Sequence, residues 1–109
     1  MRGDVYELRA PRDARGHEQR GNRYAVVVQS DLLPLSTWLV SPTSTSARPA
    51  SFRPEIEVAG KTTLVLVEQT AAVDPERLGQ LMGHLSSAEL AAVDGALRVV
   101  LGLNTLGGR

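Results

Sequence analysis

The chain has no cysteine, one lysine, one tryptophan and one phenylalanine in 109 residues. Without cysteine there can be no disulfide, no thiolate-bound metal and no cysteine nucleophile. Only two histidines are present, His17 and His84, and neither has a partner at ligand spacing, so neither a metal nor a cofactor is expected. Aromatic residues make up 4% of the chain and hydrophobic residues 42%, so the core must be aliphatic. No apolar run approaches the roughly 20 residues that span a bilayer. The opening Met1-Arg2-Gly3-Asp4 leads straight into alternating residues with no signal-peptide h-region. The expectation is a cytoplasmic protein with no membrane partner, folded as one domain over 1–109.

Net charge is zero but unevenly distributed: residues 1–54 carry +3 and residues 55–109 carry −3. Eleven of the twelve basic residues are arginine. A guanidinium grips phosphate through two parallel bonds, so an arginine-rich half suits an anionic ligand such as nucleic acid. The base composition of a gene also enriches arginine over lysine, so composition alone does not fix a partner.

What is present centres on one stretch. Gly16-His17-Glu18-Gln19-Arg20-Gly21-Asn22-Arg23-Tyr24 is polar and bracketed by glycine, and it feeds the apolar run Ala25-Val26-Val27-Val28. A short β-branched run of this kind reads as a strand buried on both faces, which sets a polar loop at the mouth of a rigid strand. Before it, alternation predicts a strand over Asp4–Arg9. After it come a capped turn at Asp31, a strand over Leu35–Ser41 ended by Pro42, and a hydroxyl-rich loop from Thr43 to Ser51. Arg53–Val58 and Thr62–Gln69 flank the turn Ala59-Gly60-Lys61 as a hairpin. Asp74-Pro75 predicts a short helix to about Met82, with His84 as a cap without function. Ser86 and Glu89 form a capping box, and Leu90, Val93, Leu97, Val100 and Leu101 follow at helical spacing. Four or five short strands and one amphipathic helix predict a mainly β (α+β) fold, a curved or partly open barrel with the helix over one face.

Three polar clusters flank these strands: His17, Glu18, Gln19, Arg20 and Arg23; Thr43 with Ser44; and Glu68 with Gln69. RNA cleavage by internal transesterification needs a group to take the 2′-hydroxyl proton, one to protonate the leaving oxygen, and charge against the phosphate. Arg23 supplies the charge, the Thr43 hydroxyl can donate to a phosphate oxygen, and Glu18 can act as base or read a base edge. On pKa grounds His17 suits acid–base work. Each residue also has an ordinary role, Glu18 as a surface ion-pair partner and Thr43 as a turn-former.

The blocks Arg2-Gly3-Asp4-Val5-Tyr6 and Gly16-His17-Glu18-Gln19-Arg20-Gly21-Asn22-Arg23, with the valine run after them, resemble the opening of the MazF/PemK (Kid) toxin family. Leu66-Val67-Glu68-Gln69, then Val73-Asp74 and Arg77-Leu78, resemble that family's later E/D-Q-x-R-x-I/V-D-x-x-R-L segment. The resemblance implies an SH3-like barrel with a C-terminal helix. It also implies a homodimer that cleaves single-stranded RNA without metal, leaving 2′,3′-cyclic phosphate and 5′-hydroxyl ends, and a MazE-like antitoxin that fills the same groove. By position it assigns catalysis to Arg23 and Thr43 and the E-Q pairs to Glu18-Gln19 and Glu68-Gln69. Two positions depart from the pattern: Tyr24 stands for the family's proline, and Ala71 for an arginine that contacts RNA in some relatives. Arg20, Arg48 and Arg53 are candidates to supply that charge. The alternative function is that of the related CcdB toxins, which poison a protein target such as DNA gyrase without catalysis.

Overall fold

The computed structural model describes residues 1–9 and 23–103. Among the described residues seven strands and one α-helix follow in order: β1 Asp4–Leu8, β2 Tyr24–Val27, β3 Trp38–Ser44, β4 Glu55–Val58, β5 Lys61–Val65, β6 Ala71–Val73, β7 Leu78–His84 and α1 Ser87–Leu101. They form one antiparallel sheet ordered β4-β5-β3-β2-β1-β7, and β6 pairs with the other end of β3. Because β3 pairs β6 along Trp38–Val40 and β5 along Thr43–Ser44, the sheet curls around it. The outcome is the expected curved half-barrel with a C-terminal helix.

The valine run explains the centre. Val26 and Val28 point to one face, where they pack with Val5, Ile56, Val65, Val67 and the helix residues Val93 and Ala96. Ala25 and Val27 point to the other, against Val40, Leu78, Tyr6, Leu8, Trp38 and Val73. Both faces are covered, so alternation gives way to a continuous apolar run. At α1 the capping box is complete. Ser86 Oγ accepts from Glu89 N–H at 3.1 Å, and Glu89 Oε1 accepts from Ser86 N–H at 2.9 Å. Glu89 Oε2 also accepts the Glu57 N–H at 3.0 Å, which ties the helix start to β4.

Three elements differ from expectation. Pro42 does not end β3 but sits inside it. Val28 N–H donates to Leu39 O at 3.0 Å, so by antiparallel alternation the Ala25–Pro42 pair is a non-hydrogen-bonded one. Pro42 also lies where β3 changes partner from β6 to β5, so no rung requires its missing N–H. Next, the expected strand over Thr62–Gln69 stops at Val65. Leu66 N–H donates to Pro42 O at 2.8 Å, and Val67–Gln69 forms a 3₁₀ turn closed by Gln69 N–H to Leu66 O. Finally, the helix expected from Pro75 to Met82 is one 3₁₀ turn, Pro75–Arg77, capped by Asp74 Oδ1 on the Glu76 N–H at 2.9 Å, followed by β7. Glycines at 79 and 83 weaken a helix, while β1 offers an open edge. At Gly79 an added Cβ would meet Glu7 Oε1 at 2.7 Å, and that same oxygen accepts the Gln80 N–H.

His84 is likewise not a helix cap. It ends β7, and its Nδ1 lies 2.7 Å from Asp4 Oδ1. Burial would push the Asp4 carboxyl up, but the His84 bond and the Met1 amine outweigh it and hold it below the usual range.

Candidate active site

Arg23 directly precedes β2, and Thr43 on β3 stands one register step beyond the Ala25–Pro42 pair, opposite Tyr24. In a regular ladder the Tyr24 N–H would donate to the Thr43 carbonyl. Instead Tyr24 N–H donates to Thr43 Oγ1 at 3.2 Å, and the Thr43 carbonyl accepts from Arg23 Nε at 3.3 Å and Nη2 at 3.2 Å. Side chains thus take over these contacts at the strand end. They fix the guanidinium against the strand end and leave the Thr43 hydroxyl holding its own proton. Thr43 is 1% exposed, so this is a rigid seat rather than a surface contact.

Arg23 lines a cleft of about 190 Å³ with Gln69, Arg77 and Ala71, and with the apolar side chains of Leu8, Val40, Pro42 and Val73. The cleft opens on the face away from α1, where β6 and β7 are consecutive in the chain but, among the described residues, not paired with each other. Gln69 is held there by a chain of hydroxyls. Thr70 Oγ1 donates to Val67 O at 2.7 Å, so the 2.6 Å contact between Ser41 and Thr70 has Ser41 as donor. This bond ties the 3₁₀ turn to the buried strand β3.

Glu68 faces elsewhere. Its Oε2 accepts from Arg53 Nε at 3.0 Å and Nη2 at 2.6 Å, while Arg53 Nη1 donates to Arg48 O at 2.9 Å and its guanidinium lies 5.7 Å from the Phe52 ring centre. The Arg53 bonds hold the Glu68 carboxyl below its usual range despite an opposing effect of burial. Glu68 is therefore a poor proton acceptor and a good clamp, fastening the β3–β4 connection to the end of β5. Arg53, expected as a substitute for the charge absent at Ala71, is used up in this clamp. Arg48 enters it only through its carbonyl. Ser44 ends β3, and its hydroxyl accepts the Ser46 N–H at 3.2 Å. His17, Glu18, Gln19 and Arg20 lie outside the described residues.

The structure therefore places Arg23 and Gln69 on one cleft and seats Arg23 on the Thr43 carbonyl; Thr43, Ser44 and Glu68 are not among the residues that line the cleft. Sequence reasoning assigned no role to Arg77, although the D-x-x-R-L block already contained it. Among the described residues no group of three or more His, Asp or Glu side chains could hold a metal, and no helix is long and apolar enough to cross a membrane.

The profile of the "PemK-like, MazF-like toxin of type II toxin-antitoxin system" family matches residues 1–101. A Mycobacterium tuberculosis relative named "Putative toxin Rv3098A" is 44% identical over 104 residues, covering 94% of this chain and 98% of its own length. The endoribonuclease MazF of Staphylococcus epidermidis is 32% identical over 111 residues, covering 94% and 92%. Among solved structures, a mycobacterial endoribonuclease in complex with its cognate antitoxin superposes with a TM-score of 0.75 at 18% identity, covering 94% and 95%. A MazE–MazF structure from Deinococcus radiodurans gives 0.74 at 24%, again covering 94% and 95%. The fold, the order of the sequence blocks and these matches agree: the chain belongs to the MazF/PemK family of type II toxin–antitoxin toxins, as a homologue of the MazF endoribonucleases.

Proposed function

We propose that the chain is a toxin that cleaves single-stranded RNA at specific sequences, without a metal, by attack of the 2′-hydroxyl on the adjacent phosphorus. The supporting observation is the Arg23 guanidinium seated on the Thr43 carbonyl in the cleft that also holds Gln69. In the step, a base takes the 2′-hydroxyl proton as the O2′–P bond forms. The P–O5′ bond breaks and O5′ takes up a proton, leaving a 2′,3′-cyclic phosphate and a 5′-hydroxyl. Arg23 stabilises the charge that builds on the phosphate, which is often the largest catalytic term. The Thr43 hydroxyl donates to a phosphate oxygen. Glu18 serves as base, and His17, Gln19, Arg20, Ser44 and Gln69 bind the RNA. Glu68 shapes that surface through Arg53.

Such cutting would stop translation in the cytoplasm. By analogy with the Deinococcus MazE–MazF pair, a MazE-like antitoxin segment occupies the cleft. The working unit is a homodimer, to which the exposed Val99, Leu101 and Leu103 at the end of α1 offer apolar surface.

The test is incubation of purified protein with a long single-stranded RNA in EDTA, with 5′ ends mapped by primer extension and Arg23→Ala and Thr43→Ala run alongside. Discrete cuts are expected from the native chain, with rates about 10²–10³-fold lower for Arg23→Ala at an unchanged melting temperature. Thr43→Ala keeps the carbonyl that seats Arg23 but also removes the acceptor of the Tyr24 N–H, so Thr43→Ser, which keeps the hydroxyl, is run beside it and is expected to retain cutting. Intact RNA from the folded native protein, or undiminished cutting by Arg23→Ala, counts against the proposal.

A further inference from the structure

The family position that carries arginine is Ala71 here, and Ala71 lines the cleft that Arg23 lines. We infer that Arg77 supplies the second positive charge of this cleft and grips the RNA backbone beside Arg23, in place of the arginine absent at 71. The inference rests on the ribonuclease function proposed above.

Arg77 lines the same cleft as Arg23, Gln69 and Ala71. It enters from the opposite side, at the junction of the Pro75–Arg77 turn with β7. Its backbone is fixed: Arg77 N–H donates to Asp74 O at 2.9 Å, and Arg9 N–H donates to Arg77 O at 2.8 Å. Its guanidinium is only partly used. Nη2 donates to Arg9 O at 3.0 Å, while Nε is buried with no partner. Among the described residues no carboxylate lies within ion-pair distance of either Arg77 or Arg23, whereas Arg53 spends Nε and Nη2 on Glu68 and Nη1 on Arg48 O. Two guanidiniums without counter-charge on one cleft, between apolar walls, form a site for an anion that also carries a flat apolar group. A nucleotide phosphate with its base meets both requirements. The Cβ of Ala71 leaves open the space a longer side chain would fill.

The experiment uses an RNA whose cut position, mapped as above, carries a 2′-deoxy sugar, so that it binds without being cleaved. Affinity is measured across a salt series for the native chain, Arg77→Ala, Arg77→Gln, and Arg77→Ala combined with Ala71→Arg. Loss of one phosphate contact on a single strand lowers the slope of log affinity against log salt by about 0.7. Both single variants are expected to show that drop with at least tenfold weaker binding, and Ala71→Arg is expected to restore it. Arg77→Gln retains a donor for Arg9 O, so it keeps the inference testable if Arg77→Ala does not fold. It also separates charge from scaffolding. A native slope in Arg77→Gln overturns the inference while the ribonuclease function stands on native cutting. A folded native chain that neither binds nor cuts RNA overturns both.

Discussion

The two faces of the β1–β2–β3 sheet are finished in opposite ways. On one, Val5, Val26 and Val28 lie under α1 and against β4 and β5, and the fully buried residues are aliphatic, with Tyr24 and Phe52 packed at the margin. On the other, Ala25, Val27, Val40 and Leu78 form a smaller core, edged by the Tyr6–Trp38 contact at 5.9 Å between ring centres. That core gives out into the cleft of Arg23, Gln69 and Arg77. The first face is closed by a helix; the second is left unfinished and lined with two arginines that, among the described residues, have no carboxylate within ion-pair distance. The main core thus lies on one side of β2 and the proposed site on the other, with a single strand setting the register of both.

Truncation on the closed face is the strongest way to break this contrast. Ile56 is 2% exposed in the main core, and Ile56→Ala is expected to cost about 2–5 kcal/mol. At this chain length each kcal/mol corresponds to roughly 4–8 °C in melting temperature, so thermal unfolding resolves it easily. Any surviving folded fraction should cut RNA at the native rate per molecule. Arg23→Ala is the mirror image, losing rate without losing melting temperature. If Ile56→Ala slowed cutting in its folded fraction, or Arg23→Ala melted early, the faces would not be separable.

The same contrast governs how much of the molecule could be read from its sequence. The closed face was legible because its signals are local. The valine run announces a strand buried on both sides, and Ser86 with Glu89 announces the helix start. Ile56 and Val58 alternate with Glu55 and Glu57 as a half-covered strand must. The open face was less so, because its boundaries are set by partners distant in sequence. Pro42 reads as a stop until one sees that it falls between two partners of β3. Leu78–His84 carries mixed signals, and the open edge of β1 decides them. Arg23 and Thr43 stand out in the sequence by their chemistry and by the spacing of the blocks, and the structure sets them in contact. The place of Arg77 on the cleft is not legible, because it reaches Arg23 through the end of β1 and the turn before β7. For Glu68 the sequence offers no sign of the bond from Arg53, fifteen residues earlier, that occupies its carboxylate.

That clamp, which lies apart from the cleft, gives a smaller prediction. The Glu68 carboxyl is held below its usual range by Arg53. A depressed folded-state pKa stabilises the fold above the unfolded carboxylate pKa, and the contribution is lost as pH falls through the folded value. Both groups are about one-quarter exposed (Arg53 22%, Glu68 26%), so solvent screening limits the pair to about 1 kcal/mol at neutral pH. Glu68→Gln should therefore lower the melting temperature slightly at pH 7. The gap from the native chain should narrow as pH drops into and below the carboxylate range. A constant gap from pH 7 to pH 3 would show that the pair contributes through packing rather than charge.

The smallest expected effect sits at the far end of the closed side. β4 and β5 join through Ala59-Gly60, with φ of 53° and 80°, and Val58 faces Lys61 across the turn. Two consecutive positive φ values make this the mirror-image turn that matches strand twist. Gly60 adopts such a φ freely, but for alanine the left-handed region is strained by about 1–2 kcal/mol. Asparagine tolerates that region better, and it adds a side chain that solvent readily accommodates, since Ala59 is exposed. Ala59→Asn is expected to raise stability by about 0.5 kcal/mol, a fraction of the strain because asparagine relieves it only in part. It should leave both cutting rate and cut position unchanged, because the hairpin belongs to the core that backs α1 and none of the cleft-lining residues lies on it. A gain in melting temperature with unaltered cleavage would show that the closed face can be strengthened independently of the open one. A gain accompanied by slower cutting would show instead that mobility of β4 and β5 reaches Arg23 through β3, the strand that pairs with both β5 and β2.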